Sequence, residues 1–234
     1  MNGFVDAALS NPWATMDRLL EGPLHPGGAD ATAELLARAD VGPSTRLLDV
    51  GCGAGEALSV ARSQGADAVG VDPSPGTDRA IRGDATALPI RESSVDVLLA
   101  ECVLCLTDLP AALREASRVL AGGGRLAVSD VVVDGGAPAI PDAMAEALCL
   151  SDARSRDRLR SELTAAGFEV RTVADHHDDL LGMRDRIADR VDYEGLLGLM
   201  GERGQRALDA IETVETAVEN GSVSYVSVVA DRPR

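Results

Sequence analysis

The chain has 234 residues, 45% hydrophobic and 26% charged, which suits one domain with a continuous core and argues against a disordered or fibrous polymer. A formal net charge of −16 and an aromatic content of 2% leave neither a basic surface for phosphate backbones nor stacking platforms for bases, so no nucleic-acid partner is expected. No stretch approaches the roughly 18 apolar residues of a membrane span, and Met1 to Asp6 lacks a charged leader, so a cytoplasmic location without a membrane partner is expected.

In chain order, His25-Pro26-Gly27-Gly28 reads as a turn ahead of a helix over Asp30 to Ala39, and the arm before it is expected to cover a site. Short apolar strands follow at Arg46 to Val50, Ala68 to Asp72, Val95 to Ala100 and Arg125 to Asp130. A helix at Leu109 to Leu120 precedes the last of these, and Gly122-Gly123-Gly124 is expected to end it. This is βαβ repetition around a parallel sheet. Beyond Pro141 come helices near Ala143 to Leu150 and Asp157 to Ala166, a strand Phe168 to Val173, helices Leu180 to Arg190 and Gln205 to Asn220, and a final strand Ser222 to Ala230. The arginines Arg154, Arg156, Arg158 and Arg160 alternate with acids and read as a solvated helix face.

The chemistry concentrates in the turn after the first strand. Asp49 stands near the strand end, and Gly51, Gly53 and Gly55 let the backbone approach a ligand ahead of a helix N-terminus. The GxGxG spacing differs from the GxGxxG dinucleotide fingerprint, and no phosphate-gripping Lys-Ser or Lys-Thr pair follows. The second strand ends in Asp72, a residue type able to accept hydrogen bonds from both hydroxyls of a ribose.

Asp49 to Gly55 (DVGCGAG), the VGVD ending at Asp72, Gly83 to Pro89 (GDATALP) and Arg118 to Asp130 (RVLAGGGRLAVSD) together resemble the class I S-adenosylmethionine-dependent methyltransferases. The resemblance implies a doubly wound, mostly parallel seven-stranded α/β sheet, Rossmann-like, with its last strand antiparallel and a helical cap. It further implies one domain over 1–234: an arm and helix to residue 40, a cofactor-binding core over 41–131, and substrate-side helices with the last two strands over 132–234. S-adenosylmethionine is the implied cofactor, with Asp49, Gly51, Cys52 and Gly53 at its methionine part, Asp72 and Pro73 at its ribose, Asp84 and Ala85 flanking its adenine, and Glu101 facing its sulfonium. The stretch from Pro73 to Gly83 is too short for the three-turn helix and third strand usual in the family.

A small-molecule acceptor is expected. Glu101-Cys102-Val103-Leu104-Cys105-Leu106 after the fourth strand, with Cys149 in the later cap, is similar to arsenite methyltransferases, and Cys102 and Cys149 fall on positions that bind trivalent arsenic there. The likeness is incomplete: no cysteine precedes Cys52, and Glu101 stands where an asparagine is expected. A thiolate-bound arsenical is therefore one expected acceptor, a carbon or oxygen atom of a quinone or secondary metabolite another, and a non-catalytic donor-binding protein a third reading. The cysteines also read as small core residues, and His25 as a general base or an exposed loop histidine. The cysteines form no pair of CxxC units, and His176 with His177 point to opposite faces, so no metal centre is expected. Catalysis is expected to come from positioning and desolvation around Glu101, Cys102, Cys149 and His25 rather than from a triad.

Overall fold

The computed structural model describes residues 25–190 and 193–234; the arm expected ahead of His25 lies outside them. Helix α1 (Gly28–Arg38) leads into β1 (Arg46–Val50), α2 (Glu56–Ser63), β2 (Asp67–Asp72), β3 (Ala80–Arg82), β4 (Val95–Glu101), α3 (Leu109–Val119) and β5 (Leu120–Val133). Then follow α4 (Asp142–Ala147), α5 (Arg156–Ala165), β6 (Glu169–Asp175), α6 (His177–Arg190), α7 (Tyr193–Gly198), α8 (Glu202–Glu219) and β7 (Val223–Asp231).

The strands form one seven-stranded sheet in the order β3-β2-β1-β4-β5-β7-β6. All pairs are parallel except those of β7, which runs against both β5 and β6. This is the sheet that the resemblance implied. Strand order reverses direction between β1 and β4, where Asp49 pairs with Leu99, so the ends of these strands open the crevice in which α/β sheets place ligands.

Alternation along each strand divides the core between the two faces. On one, Leu48, Leu98, Leu126 and Val228 pack with Leu109, Leu113 and Val119 of α3 and with Leu159 and Leu163 of α5. On the other, Leu47, Leu99, Ala127 and Val229 pack with Leu35 and Leu36 of α1 and Leu58 of α2. A third cluster, under the cap, joins Val131, Val133, Val223 and Tyr225 to Cys105, Cys149 and Leu150.

Three details depart from the sequence expectations. The short stretch after Asp72 carries no helix, yet Ala80–Arg82 still pairs in parallel with β2, as an edge strand needs only a few ladder bonds. Helix α3 ends at Val119, before the glycine run; Leu120 is already extended, and Gly123 turns within β5. Helix α4 stops at Ala147 rather than Leu150, because Cys149 adopts a left-handed φ of 58° that an α-helix cannot continue. The arginine run is a solvated helix face only in part: Arg156 and Arg158 lie on α5 and pair with Asp134 and Glu162, whereas Arg154 precedes the helix, has a side chain 12% exposed and pairs with Glu162 from the inside. Among the described residues no helix is long and apolar enough to cross a membrane.

Helix α1 matters beyond packing, because its first turns carry polar groups to the carboxyl edge of the sheet. Leu36 is fully buried beneath it. Leu36→Ala is expected to lower stability by about 2–5 kcal/mol, as buried leucine truncations do, measured by urea unfolding.

Candidate active site

The loop after β1 is built by backbone constraint. Gly51 has a φ of 76°, and a Cβ there would lie 2.3 Å from Val103, so only glycine lets the loop pass beneath the segment that follows β4. Its N–H bonds to the Val71 carbonyl at 2.7 Å, tying the loop to β2. Asp72 completes the tie: Oδ2 accepts from the Gly53 N–H at 3.0 Å and Oδ1 from the Ser74 N–H at 2.7 Å. Each oxygen retains a lone pair for a ligand. Nothing lies within 4 Å of the position a Gly53 Cβ would take, so this stretch faces open space.

Asp49 is buried, and its Oδ2 has no hydrogen-bond partner. Burial, and then the charges of Glu101, Asp72 and Glu56, push its carboxyl well above the usual range. A buried acceptor without a donor, amid further acids, suits a cationic or hydrogen-donating ligand group.

Glu101, at the end of β4, is held from several sides. Thr32 of α1 donates to Oε2 at 3.0 Å, the Ser129 hydroxyl lies 3.5 Å from Oε1, and Tyr225 donates to Ser129 at 2.7 Å. His25 Nε2 stands 3.6 Å from Glu101 Oε2 and 3.3 Å from the Thr32 hydroxyl. The other ring nitrogen, Nδ1, lies 3.1 Å from the Pro26 carbonyl, so both ring nitrogens have an oxygen acceptor within reach. Burial raises the Glu101 pKa, while His25, Thr32 and Ser129 oppose the shift. His25 is thus not an exposed loop histidine: at 8% exposure it belongs to this cluster.

Other expected site residues are distributed differently. Cys52 turns its sulfur into the core against Gly70, where burial and then Asp49 raise its thiol to about 12, so only its backbone belongs to the loop. Pro73 and Asp84 are exposed, and Asp84 accepts from both the backbone and the hydroxyl of Thr86, which lower its pKa. Ala85 packs at the core margin. Cys102 and Cys149 do come together, with their sulfurs and an Asp130 oxygen all within 4.8 Å of one another. His176 is engaged by Ser227 at 2.6 Å and by Asp179 at 3.1 Å, while His177 opens α6.

The sequence reading missed Thr32, Ser129 and Tyr225 as site residues. Ser129 and Tyr225 carry a weak signal, being polar groups inside strands that are otherwise apolar. Thr32 carries none, because its role depends on where α1 docks.

A methyltransferase-domain family model matches residues 48–128. An O-methyltransferase of Pyrenophora dematioidea is 32% identical over 179 residues, covering 66% of this chain and 67% of that protein. The chain belongs to the class I S-adenosylmethionine-dependent methyltransferases. Methyltransferase GfsG of Streptomyces halstedii is 35% identical over 156 residues, 58% of this chain but only 56% of its own length. In fold, the solved structure of the [4+2]-cyclase SpnF matches with a TM-score of 0.73 at 23% identity, over 96% of this chain and 93% of that one.

The family's donor, S-adenosylmethionine, is a cation bearing an ammonium and a sulfonium, and the partnerless Asp49 oxygen with its acidic neighbours fits such a group. The raised Asp49 carboxyl means that the folded chain holds a proton that an unfolded aspartate has already lost. That stabilisation is complete below the ordinary carboxylate range and is lost as pH rises through the raised value. Asp49→Asn is therefore expected to raise the melting temperature of the unliganded chain by about 2–5 °C at neutral pH. The same change should weaken S-adenosylhomocysteine binding at least about tenfold; calorimetry with unchanged affinity would remove Asp49 from the donor site.

Proposed function

We propose that this methyltransferase moves the methyl group of S-adenosylmethionine to a hydroxyl oxygen of a small organic molecule, with His25 as general base. The observation that carries the reading is the buried His25–Glu101 pair, with the imidazole 3.6 Å from the carboxylate at Nε2. A neutral hydroxyl is a poor nucleophile, and removing its proton as the new bond forms is worth about 10²–10⁴ in rate.

In this reading Asp49, Gly51 and Gly53 hold the methionine part of the donor, Asp72 its ribose, and Asp84 with Ala85 flank its adenine. When bound, the donor supplies an electrophilic methyl group on a positively charged sulfur. Asp49 and Glu101 complement that charge, and Val103 closes over Gly51 to exclude water. His25 takes the acceptor proton, and Glu101, held by Thr32 and Ser129, stabilises the resulting imidazolium. Positioning and desolvation supply the rest.

The relatives support oxygen as the acceptor atom: the protein of Pyrenophora dematioidea is named an O-methyltransferase. This reading takes precedence over the thiolate-bound arsenical.

The test follows methyl-labelled S-adenosylmethionine into a panel of phenols and aliphatic alcohols. His25→Ala is expected to lower kcat about 10²–10⁴-fold while leaving S-adenosylhomocysteine affinity within about twofold. Donor binding without transfer to any hydroxyl would overturn the assignment in favour of a donor-binding protein that does not methylate oxygen, and full activity in the variant would remove His25 as the base.

A further inference from the structure

The cluster of Cys102, Cys105, Cys149 and Asp130 has no part in the reaction described above. Its members come from four separate places: Cys102 just after β4, Cys105 in the single 3₁₀ turn Leu104–Leu106, Asp130 within β5, and Cys149 just past α4. The Cys102 and Cys149 sulfurs and an Asp130 carboxylate oxygen all lie within 4.8 Å of one another. Cys105 donates its backbone N–H to an Asp130 oxygen at 2.8 Å and is buried beside the cluster.

The geometry points to a binding site for one thiophilic d10 cation of the zinc class, with Cys102, Cys149 and Asp130 as three of its ligands. A tetrahedral zinc ion with Zn–S near 2.3 Å and Zn–O near 2.1 Å separates its ligand atoms by about 3.4–3.8 Å. The observed spread accommodates that figure with side-chain adjustments of an ångström or less. Sulfur ligands select soft or borderline cations over magnesium and calcium. The carboxylate is already oriented, since its oxygens accept from the Cys105 N–H at 2.8 Å and the Val131 N–H at 3.0 Å, leaving a lone pair on each.

Coordination releases the thiol protons of Cys102 and Cys149 to solvent. Two thiolates then balance the divalent ion, so the three side chains with their ion carry the same net charge as the three side chains alone did before binding. Cys149 is a buried residue, and the Cys102 sulfur is enclosed with it and Asp130. Cys102 and Cys149 also sit at φ values of 55° and 58°, a conformation that costs a residue with a Cβ about 1–2 kcal/mol. A bound ion would pin the end of α4, and with it the cap, to β4 and β5. This inference does not depend on the identity of the methyl acceptor.

The experiment titrates reduced, chelator-treated full-length protein with Cd²⁺, reading thiolate-to-metal charge-transfer absorption in the ultraviolet, and then with Zn²⁺ in competition. One equivalent per chain is expected, with affinity weakened at least about 100-fold in Cys149→Ser and unchanged in Cys52→Ser, whose sulfur lies elsewhere in the core. Circular dichroism and S-adenosylhomocysteine binding verify that each variant is folded. As a measurement on the natural chain, mass-spectrometric mapping of partial alkylation should show Zn²⁺ protecting Cys102 and Cys149 but not Cys52. Absence of a stoichiometric charge-transfer band, a band that survives Cys149→Ser in folded protein, or zinc-independent alkylation of Cys102 and Cys149 would overturn the proposal.

Discussion

The structure turns on two carboxyl groups withdrawn from water at the point where the sheet reverses direction. Asp49 and Glu101 project from neighbouring strands, and burial raises both carboxyls. Asp49 keeps one oxygen without any donor. Such an arrangement costs folding free energy and persists only because the surrounding elements leave these side chains no other place. Asp72 clamps the glycine loop, Val103 seals it from above, and the leucines of α1 press Thr32 against Glu101. A cationic or hydrogen-donating group placed beside these carboxyls would offset that cost.

A polar row continues from that point across the carboxyl edge of the sheet. Glu101 is register partner to Ser129, and Ser129 to Ser227. Tyr225 sits one pleat further along β7 on the same face, reaching Ser129 with its hydroxyl and lying 3.7 Å from the Cys102 sulfur. Beyond Ser227, His176 and Asp179 extend the row to α6. Glu101, Ser129, Tyr225, His176 and the cysteine cluster therefore share one framework. Strand ends hold such groups more precisely than loops do.

Much of the frame was legible because it depends on local rules. Period-two apolar runs gave β1, β2, β4 and β7 to within a residue or so, and glycine spacing at Gly51, Gly53 and Gly55 identified the loop. The illegible parts depend on contacts between distant segments. Cys52 looks like a loop residue beside the cofactor, yet Gly70 of the next strand offers a hole that its sulfur fills. His25 looks exposed because turn residues usually are, until α1 folds it against a strand end 76 positions later in the chain.

The sequence by itself determined the strand and helix pattern, the glycine loop, the acidic strand ends and hence the class of fold, since periodicity and turn chemistry act within a few residues. Tertiary structure alone decided that His25, Thr32, Glu101, Ser129 and Tyr225 form one hydrogen-bonded set, and that cysteines 47 residues apart meet at a buried aspartate. Those meetings follow from strand order and helix docking, which sum the burial of many side chains. No spacing in the chain encodes them.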